Sequence, residues 1–416
     1  MKKLLIICDL FPPAFGPRMG YLCKYLKGTG WEPFVLTEKI NDSTFRLLKD
    51  VCPVRALPYY PAGGGLAGRL VRMALLLLSV AGFKDFIFRR EADRLCARAG
   101  FDLILCSTYR SFPLGVAAAA ARKFGLPWIA DLRDIVEQYT GLEFIATKLP
   151  QFVADKFTPQ LRDRFIAARN RALQSASCVT TVSAFHVSTL RPYSPGICLI
   201  YNGYDPELFK PRTSTSDKFV ITYTGRLLSR AMRDPSLLFA AIRMLAAENL
   251  LSPDTCRVDW YTDPDSWADI DAAAQDAGVR PYMENKGYVP AEQIPDVLAA
   301  SSVVLLLANK ESATGPRGVV TTKVFEAMAM ERPILCVRSD ESTIAALLAD
   351  SRCGTAASGP VEACNFLRLH YRHWLRHGYT CVEPYRPFIE SFSRQKQAHE
   401  FARIFDEVVG RDDSLS

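Results

Sequence analysis

Residues 318–337, GVVTTKVFEAMAMERPILCV, place a lysine and a glutamate at the start of a predicted helix. The preceding loop has small side chains, among them Thr321 and Thr322, which leave the first backbone N–H groups of the helix open to an anion. Lys323 adds a positive charge suited to a phosphate, and Glu326 can accept hydrogen bonds from the hydroxyls of a ribose. A buried strand is predicted at 333–337. The segment predicts a nucleotide or nucleotide-sugar site; an ordinary charged first turn of a helix is the alternative.

A second group of cations follows a predicted strand in the sequence TGRL, residues 224–227. Gly225 and Arg226 end that strand, and Arg233 lies seven residues further along the chain. Two arginines beside the start of a helix can neutralise the charge that develops on a departing diphosphate. A pair of exposed arginines without a ligand is the alternative.

The loop after the first predicted strand, FPPAFGPRMG at 11–20, does not have the G-x-G-x-x-G spacing of dinucleotide-binding folds. Gly16 could still let the backbone approach a ligand, and Arg18 could face an anion at the start of the helix predicted at 21–27. A plain turn between strand and helix is the alternative.

Three charged residues emerge from the end of a buried strand in the sequence ADLRD, residues 130–134. Ligands bind outside the carboxyl ends of the strands in open α/β sheets, so these side chains are candidate catalytic residues. We expect Asp134 or Asp131 near an acceptor hydroxyl, with Arg133 orienting it. The alternative is a structural ion pair.

Short apolar runs alternate with helical patterns through both halves of the chain, which indicates an α/β protein with two parallel sheets covered by helices. The segment 202–216 is rich in Pro, Gly, Ser and Thr and is predicted to separate the halves. Beyond residue 353 the strand signal fades, and 388–409 has the apolar spacing of a helix.

Composition fits a globular protein of two or three domains, with 416 residues and 49% hydrophobic residues. The twelve cysteines contain no C-x-x-C pair, so we expect neither a disulfide framework nor a zinc site, and a cytoplasmic location. His370, His373 and His377 fall on one helical face, but no carboxylate or cysteine completes a metal site. The net charge of +7 suits an anionic small ligand or a membrane surface and is too diffuse to indicate nucleic acid.

Several motifs in order resemble one family. TGRL, KGYVP (286–290), ASSVVLLL (300–307) and TTKVFEAMAMERPIL are similar to the C-terminal half of GT-B glycosyltransferases, closest to retaining glycosyltransferase family 4. Four upstream segments are similar to the N-terminal half and hinge of that family: FPPAFGPRMG, PWIADLRD, VTTVSA and IYNGYDPELFKP. The resemblance extends over about 1–350.

The resemblance implies two facing Rossmann-like domains: an acceptor-side domain at 1–205 and a donor-binding domain at 206–385. It also implies a final helix at 386–416 that packs on the first domain. The implied activity is transfer of a sugar from a nucleoside-diphosphate sugar to a hydroxyl, in surface-polysaccharide or glycan-precursor synthesis, with retention of configuration and without a metal or cofactor. Tyr288 and Val289 of KGYVP would bracket the base.

One departure from the family affects the sugar. The family has a Glu-x7-Glu motif whose second glutamate matches Glu326, but the first position holds Gly318. Glu311, in the preceding loop, is the alternative carboxylate. Three other functions stay open: a sugar-nucleotide epimerase of the same fold, a nicotinamide oxidoreductase, against which the missing glycine fingerprint counts, and a non-catalytic nucleotide-sugar-binding protein.

The segment 66–98 holds an eleven-residue apolar run between basic residues, and no run in the chain reaches the length of a membrane span. The segment could lie in a membrane interface with its basic residues on lipid headgroups, or it could be a core helix with basic flanks. The basic residues concerned are Arg69, Arg72, Lys84, Arg89 and Arg90.

Overall fold

The computed structural model describes residues 1–60, 65–80, 82–109, 111–138, 151–194, 196–212, 214–227, 233–308, 318–337 and 342–413. The chain forms two compact units. The N-terminal unit comprises Met1–Tyr201 and Arg394–Ser416, and the C-terminal unit comprises Asn202–Ser393. The sequence prediction divided the chain after residue 205 and started the final segment at 386.

The N-terminal unit contains a seven-stranded parallel sheet in the order β3-β2-β1-β4-β5-β6-β7. Its central strands are apolar on both faces because helices cover both sides, as parallel sheets require. The strands are β1 Lys2–Cys8, β2 Trp31–Glu38, β3 Val54–Leu57, β4 Leu103–Thr108, β5 Trp128–Leu132, β6 Cys178–Thr181 and β7 Ile197–Leu199. The helices are α1 Pro17–Tyr25, α2 Leu66–Val80, α3 Phe83–Ala99, α4 Leu114–Phe124, α5 Gln151–Leu173 and α6 Ala184–Leu190.

The C-terminal unit contains a six-stranded parallel sheet in the order β10-β9-β8-β11-β12-β13. Its strands are β8 Phe219–Thr224, β9 Cys256–Tyr261, β10 Met283–Asn285, β11 Val303–Leu307, β12 Ile334–Val337 and β13 Gly354–Ala357. Its helices are α7 Ser236–Ala247, α8 Pro264–Asp276, α9 Ile294–Ala299, α10 Thr322–Ala329, α11 Ser342–Ser351, α12 Pro360–His377 and α13 Arg386–Glu390.

The last helix, α14 (Arg394–Asp413), returns to the N-terminal unit and packs against α1. Phe401 and Phe405 are buried there, and the ring of Phe405 lies 5.4 Å from the ring of Trp31, centroid to centroid. Lys2 and Asp406 form an ion pair at 2.9 Å at the edge of the same contact. The final helix therefore contributes to the core of the unit in which the chain begins.

The predicted fold class is confirmed, with two parallel sheets and alternating helices. The sequence analysis missed the outer strands β3, β10 and β13. These strands have three or four residues and are mostly not buried, so they lack the continuous apolar run that identified the inner strands. Within the described residues, no helix is both long and apolar enough to cross a membrane.

Candidate functional site

The predicted helix start in 318–337 is present as α10, which begins at Thr322 beyond the carboxyl end of β11. Thr321 is the N-cap residue with extended backbone, but in the described part of the chain its side chain caps no N–H group. The first turn contains no acidic residue. The N–H groups of this turn and the positive end of the helix dipole can therefore serve an anion.

The ammonium group of Lys323 lies against Gly225 and over an aromatic ring. Its Nζ is 5.2 Å from the ring centroid of Tyr223, and a Cβ placed on Gly225 would lie 1.8 Å from it. Gly225 also has a φ of +129°, so both its backbone and the space beside it require glycine. Burial, and then the charge of Arg233, lower the pKa of Lys323 to about 7, although Glu326 raises it. Among the described residues no carboxylate pairs with Lys323.

Arg233 and Thr321 line the same pocket as Lys323, which holds about 370 Å³ of space, part of it open to solvent. The other lining residues lie at the carboxyl ends of β8, β11 and β12, in the segment before α10, and on α10 and α11: Tyr223, Leu306, Leu307, Ala308, Val319, Val324, Cys336 and Ile344. The structure therefore brings together Lys323, Arg233, Gly225 and Thr321, which the sequence placed in two separate motifs.

The TGRL loop is held by hydrogen bonds from both sides. The Tyr223 hydroxyl donates to the carbonyl of Arg226 at 3.0 Å, and Arg233 donates to the same carbonyl. Leu227 donates its N–H to the hydroxyl of Ser266 at 2.9 Å, at the start of α8. The guanidinium of Arg226 is exposed and 4.0 Å from Asp263, and it does not line the pocket.

The remaining donor-side candidates do not line this pocket. Glu326 and Thr322 are half-buried on α10, and the negative charge of Glu326 raises the pKa of Lys323. Tyr288 is exposed and Val289 half-buried in the loop after β10, at the outer edge of the sheet, and neither lines the pocket. Gly318 has a φ of +64°, and Glu311 lies outside the described residues.

Arg18 and Asp131 form a buried ion pair in the N-terminal unit, with 4% and 0% of their side chains exposed. Arg18 donates to Asp131 from Nη2 at 3.0 Å and from Nε at 3.1 Å. Its two terminal nitrogens also donate to the carbonyls of Ile200 and Tyr201, each at 3.0 Å. The predicted roles of Arg18 as an anion ligand and of Asp131 as a catalytic carboxylate need exposed atoms, and the structure does not provide them.

Asp131 also accepts from the hydroxyls of Ser107 and Thr180, each at 2.8 Å. Burial raises the pKa of Asp131 and Arg18 lowers it, and the net shift is downward.

The glycine at position 16 has a structural reason, because a Cβ there would lie 2.7 Å from the carbonyl oxygen of Leu10. The space beside Gly16 is therefore filled by the backbone of the chain, not left for a ligand.

Arg133 and Asp134 are half-buried beyond the carboxyl end of β5. Arg133 pairs with Asp9 at 2.5 Å, and Thr108 donates to the other oxygen of Asp9 at 3.2 Å. The Nε of Arg133 is buried without a partner among the described residues. Burial lowers the pKa of the Arg133 guanidinium and the charge of Asp9 raises it, and the net shift is upward. Asp9 was missed by the sequence analysis. Its position at the end of β1, at the same sheet edge as ADLRD, was the available signal.

His186 was also missed. It lies on α6, is fully buried, and its Nδ1 is 2.8 Å from the hydroxyl of Thr181. Burial lowers the pKa of His186 to about 3, so the ring is neutral at physiological pH.

The described residues contain no group of three or more histidine, cysteine or acidic side chains that could hold a metal ion.

Comparison with known proteins identifies the architecture. Residues 15–203 match the sequence model of the glycosyl transferase 4-like domain. No protein of curated function matches the chain. The chain is similar in structure to Anabaena Alr3699/HepE in complex with UDP and glucose, at 17% identity with a TM-score of 0.65, covering 98% of this chain and 100% of that one.

Two further solved structures cover nearly the whole chain. Sucrose-phosphate synthase from Thermosynechococcus elongatus is 17% identical with a TM-score of 0.56, covering 100% of this chain and 98% of that one. The lipopolysaccharide outer core galactosyltransferase WaaB is 12% identical with a TM-score of 0.56, covering 97% of this chain and 99% of that one. The chain therefore has the two-domain GT-B fold of these solved structures, and its residues 15–203 are similar to the glycosyl transferase 4-like domain.

Proposed function

We propose that this protein transfers a sugar from a nucleoside-diphosphate sugar to a hydroxyl group, with the diphosphate bound at the start of α10. The observation that carries the proposal is the ammonium group of Lys323, which lies beside Gly225 and Arg233 without a carboxylate partner in the described part of the chain. Lys323 is half-buried and burial lowers its pKa, so its positive charge is costly in the empty protein, and a diphosphate would supply a strong counter-charge. The similarity to a protein solved with UDP and glucose supports this choice of ligand.

In the proposed reaction, the bond between the sugar and the diphosphate breaks while a bond to the acceptor oxygen forms. Negative charge therefore develops on the departing diphosphate, where Lys323, Arg233 and Arg226 can stabilise it. If these three cations neutralise the leaving group, no metal is needed for that purpose, and we propose that the reaction requires neither a metal nor a cofactor. Retention of anomeric configuration is proposed from the family resemblance.

We propose roles for several other residues from their positions in the chain. Glu326 would accept hydrogen bonds from the ribose, and Tyr288 and Val289 would bracket the base. On the acceptor side, Asp134 remains as the candidate carboxylate of ADLRD, because Asp131 is fully engaged with Arg18. Arg133 and Asp9 are fixed to each other and would orient the acceptor.

The first test is a thermal-shift panel with UDP, GDP, ADP and CMP sugars, because a ligand that binds only the folded state raises the unfolding temperature. We expect one nucleotide class to stabilise the wild type and to lose that effect in Lys323→Met. No shift with any donor would contradict the proposed donor site.

The second test separates the alternatives. A glycosyltransferase releases nucleotide in an acceptor-dependent reaction, whereas an epimerase converts the nucleotide sugar without acceptor. A donor that binds but is neither transferred, epimerised nor slowly hydrolysed would indicate a non-catalytic binding protein. Product NMR would identify the anomer, and an inverted product would contradict the retaining assignment.

We also propose that the N-terminal unit contacts a membrane surface at the inner face of the cell membrane, where a lipid-linked glycan acceptor would lie. Helix α2 and the start of α3 carry exposed apolar side chains, including Leu70 at 65% and Leu77 at 64% exposure. Leu70, Met73 and Leu77 repeat at helical spacing and form one stripe. Similarity to a lipopolysaccharide galactosyltransferase supports a polysaccharide role.

The basic residues of this segment differ in their surroundings. Lys84 pairs with Glu38 at 2.6 Å and is largely buried, so it is not available to a headgroup. Arg89 and Arg90 are exposed, whereas the side chain of Arg69 is outside the described set. The lipid contact is therefore proposed to depend mainly on the apolar stripe, assisted by the exposed arginines.

Co-sedimentation with anionic liposomes tests this contact. We expect binding by the wild type that weakens with salt and is lost in Leu70→Gln/Leu77→Gln. Leu369→Gln, at an equally exposed leucine on α12, is the matched control and should bind normally. Wild type that stays in the supernatant at low salt would exclude the contact and favour a soluble acceptor.

A further inference from the structure

Cys381 differs from every other cysteine of the chain in its exposure. Of the twelve cysteines, nine are buried and two are half-buried, and only Cys381 is exposed. It lies in the loop between α12 and α13 of the C-terminal unit. Cys381 is therefore the thiol most accessible to a reagent in the folded protein.

His373, on α12, is placed to accept the proton of this thiol. Its Nδ1 is 2.9 Å from the carbonyl oxygen of Tyr379, and its Nε2 is 3.5 Å from the sulfur of Cys381. A carbonyl oxygen can only accept, so Nδ1 must carry the ring proton. The lone pair of neutral His373 is then on Nε2 and faces the thiol.

A buried arginine adds positive charge to the surroundings of Cys381. Arg332 is only 3% exposed and donates to the carbonyls of Ala299 at 2.6 Å and Thr380 at 3.3 Å. Its Nε is buried without a partner in the described part of the chain. Burial lowers the pKa of Arg332, and the charge of Cys381 acts in the opposite direction and raises it.

The loop that carries Cys381 is held in place on both sides. Gly378 ends α12 and accepts from the N–H of Ser216 at 3.4 Å, while the hydroxyl of Thr380 donates to the carbonyl of Ser302 at 2.6 Å. The rings of His373 and Tyr379 are in edge contact, with centroids 5.6 Å apart. The thiol, the imidazole and the orienting carbonyl are therefore pre-arranged, which is the condition under which an adjacent base activates a nucleophile.

We propose that Cys381 is a reactive thiol, activated by His373, that forms reversible mixed disulfides with small disulfide compounds. In this reaction His373 Nε2 takes the thiol proton as Sγ attacks one sulfur of the disulfide. The sulfur–sulfur bond of the reagent breaks, a bond between Cys381 and that sulfur forms, and the other half leaves as a thiolate that takes up the proton. No further oxidant is required, and a reducing thiol reverses the modification.

The experiment uses the full-length protein with two disulfide probes, 5,5′-dithiobis(2-nitrobenzoate) and oxidised glutathione. We expect one fast equivalent of modification, mapped by mass spectrometry to Cys381 and absent in Cys381→Ser. His373→Gln should slow that phase about tenfold or more at neutral pH, since it removes the base. His399→Gln, at another histidine whose Nδ1 contacts a backbone carbonyl, is the matched control and should leave the rate unchanged.

Three outcomes would overturn the proposal. One is a fast phase that maps to another cysteine or persists in Cys381→Ser. Another is an unchanged rate in His373→Gln when circular dichroism and the unfolding temperature show that this variant is folded. A Cys381 that reacts no faster in the native protein than in the urea-unfolded chain would count equally against activation.

Discussion

Each unit places a cation at the start of a helix, Arg18 on α1 and Lys323 on α10, but the two cations have opposite surroundings. Arg18 is buried against Asp131 and two backbone carbonyls. Lys323 lies between an aromatic face and a glycine, with no carboxylate partner in the described residues. The position of a cation at a helix start therefore does not decide its role; the presence or absence of a counter-charge does.

The difference has an energetic consequence. A buried charge that is fully paired is held in place, and removing its partner leaves the other charge uncompensated. A cation without a partner lowers the stability of the empty protein, and an anionic ligand recovers that stability on binding. Substitutions at the two positions should therefore affect different measured quantities.

The largest effect is expected for Arg18→Met, which leaves Asp131 buried without its cation. Loss of one partner of a buried pair costs about 3–5 kcal/mol of unfolding free energy. Urea unfolding followed by fluorescence measures the loss, and the double variant Arg18→Met/Asp131→Leu should recover part of it. A loss below about 1 kcal/mol would show that the pair is not structural.

For Lys323→Met we expect weaker donor binding, by about 10- to 100-fold, as for the loss of hydrogen bonds to a charged group. The unfolding free energy should be unchanged or higher, because the variant removes a positive charge that burial and Arg233 destabilise. Calorimetry with the donor and urea unfolding provide the two values. Unchanged donor affinity would place the diphosphate elsewhere.

Gly225→Ala tests the space beside the ammonium group. A methyl group there would occupy the position of the Lys323 ammonium, at a backbone φ of +129° that L-residues rarely adopt. We expect a loss of donor affinity no larger than that of Lys323→Met, and little additional loss in the double variant because both act on one group. Full additivity would contradict a shared mechanism.

A smaller effect is expected from pH. The pKa of Lys323 is lowered to about 7, so the empty protein loses this positive charge as the pH rises above that value. An anionic donor binds the protonated form, and its affinity should therefore fall above pH 7, by at most about tenfold per pH unit. Lys323→Met provides the control, since its affinity should not follow this profile. A wild-type affinity that is constant from pH 6 to 9 would contradict the shift.

The start of α10 could be predicted from the sequence, whereas the partners of Arg18 and Asp131 could not, for a physical reason. Thr321, Lys323 and the start of α10 are local in sequence, so small side chains followed by a helical pattern were enough to identify them. Arg18 and Asp131 are separated by 113 residues, and each alone was consistent with an exposed functional group. The partner of a charged side chain is a tertiary property, which spacing within one motif does not determine.

The same reasoning explains the missed Asp9 and the pocket position of Arg233. Asp9 meets Arg133 only because β1, β4 and β5 are neighbours in the sheet. Arg233 reaches the pocket of Lys323 from the chain that follows β8. Strand order brought these residues together, and a single sequence contains no direct signal for strand order.

The return of α14 to the N-terminal unit affects the order in which the protein can fold during synthesis. The strands of the N-terminal unit are synthesised before the C-terminal unit, but the helix that buries Phe401, Ile404 and Phe405 against them is synthesised after it. The C-terminal unit, Asn202–Ser393, is complete before that helix appears. The second unit can therefore finish folding before the first, and a nascent chain or a truncated product that stops short of Arg394 exposes an apolar face that chaperones and proteases recognise.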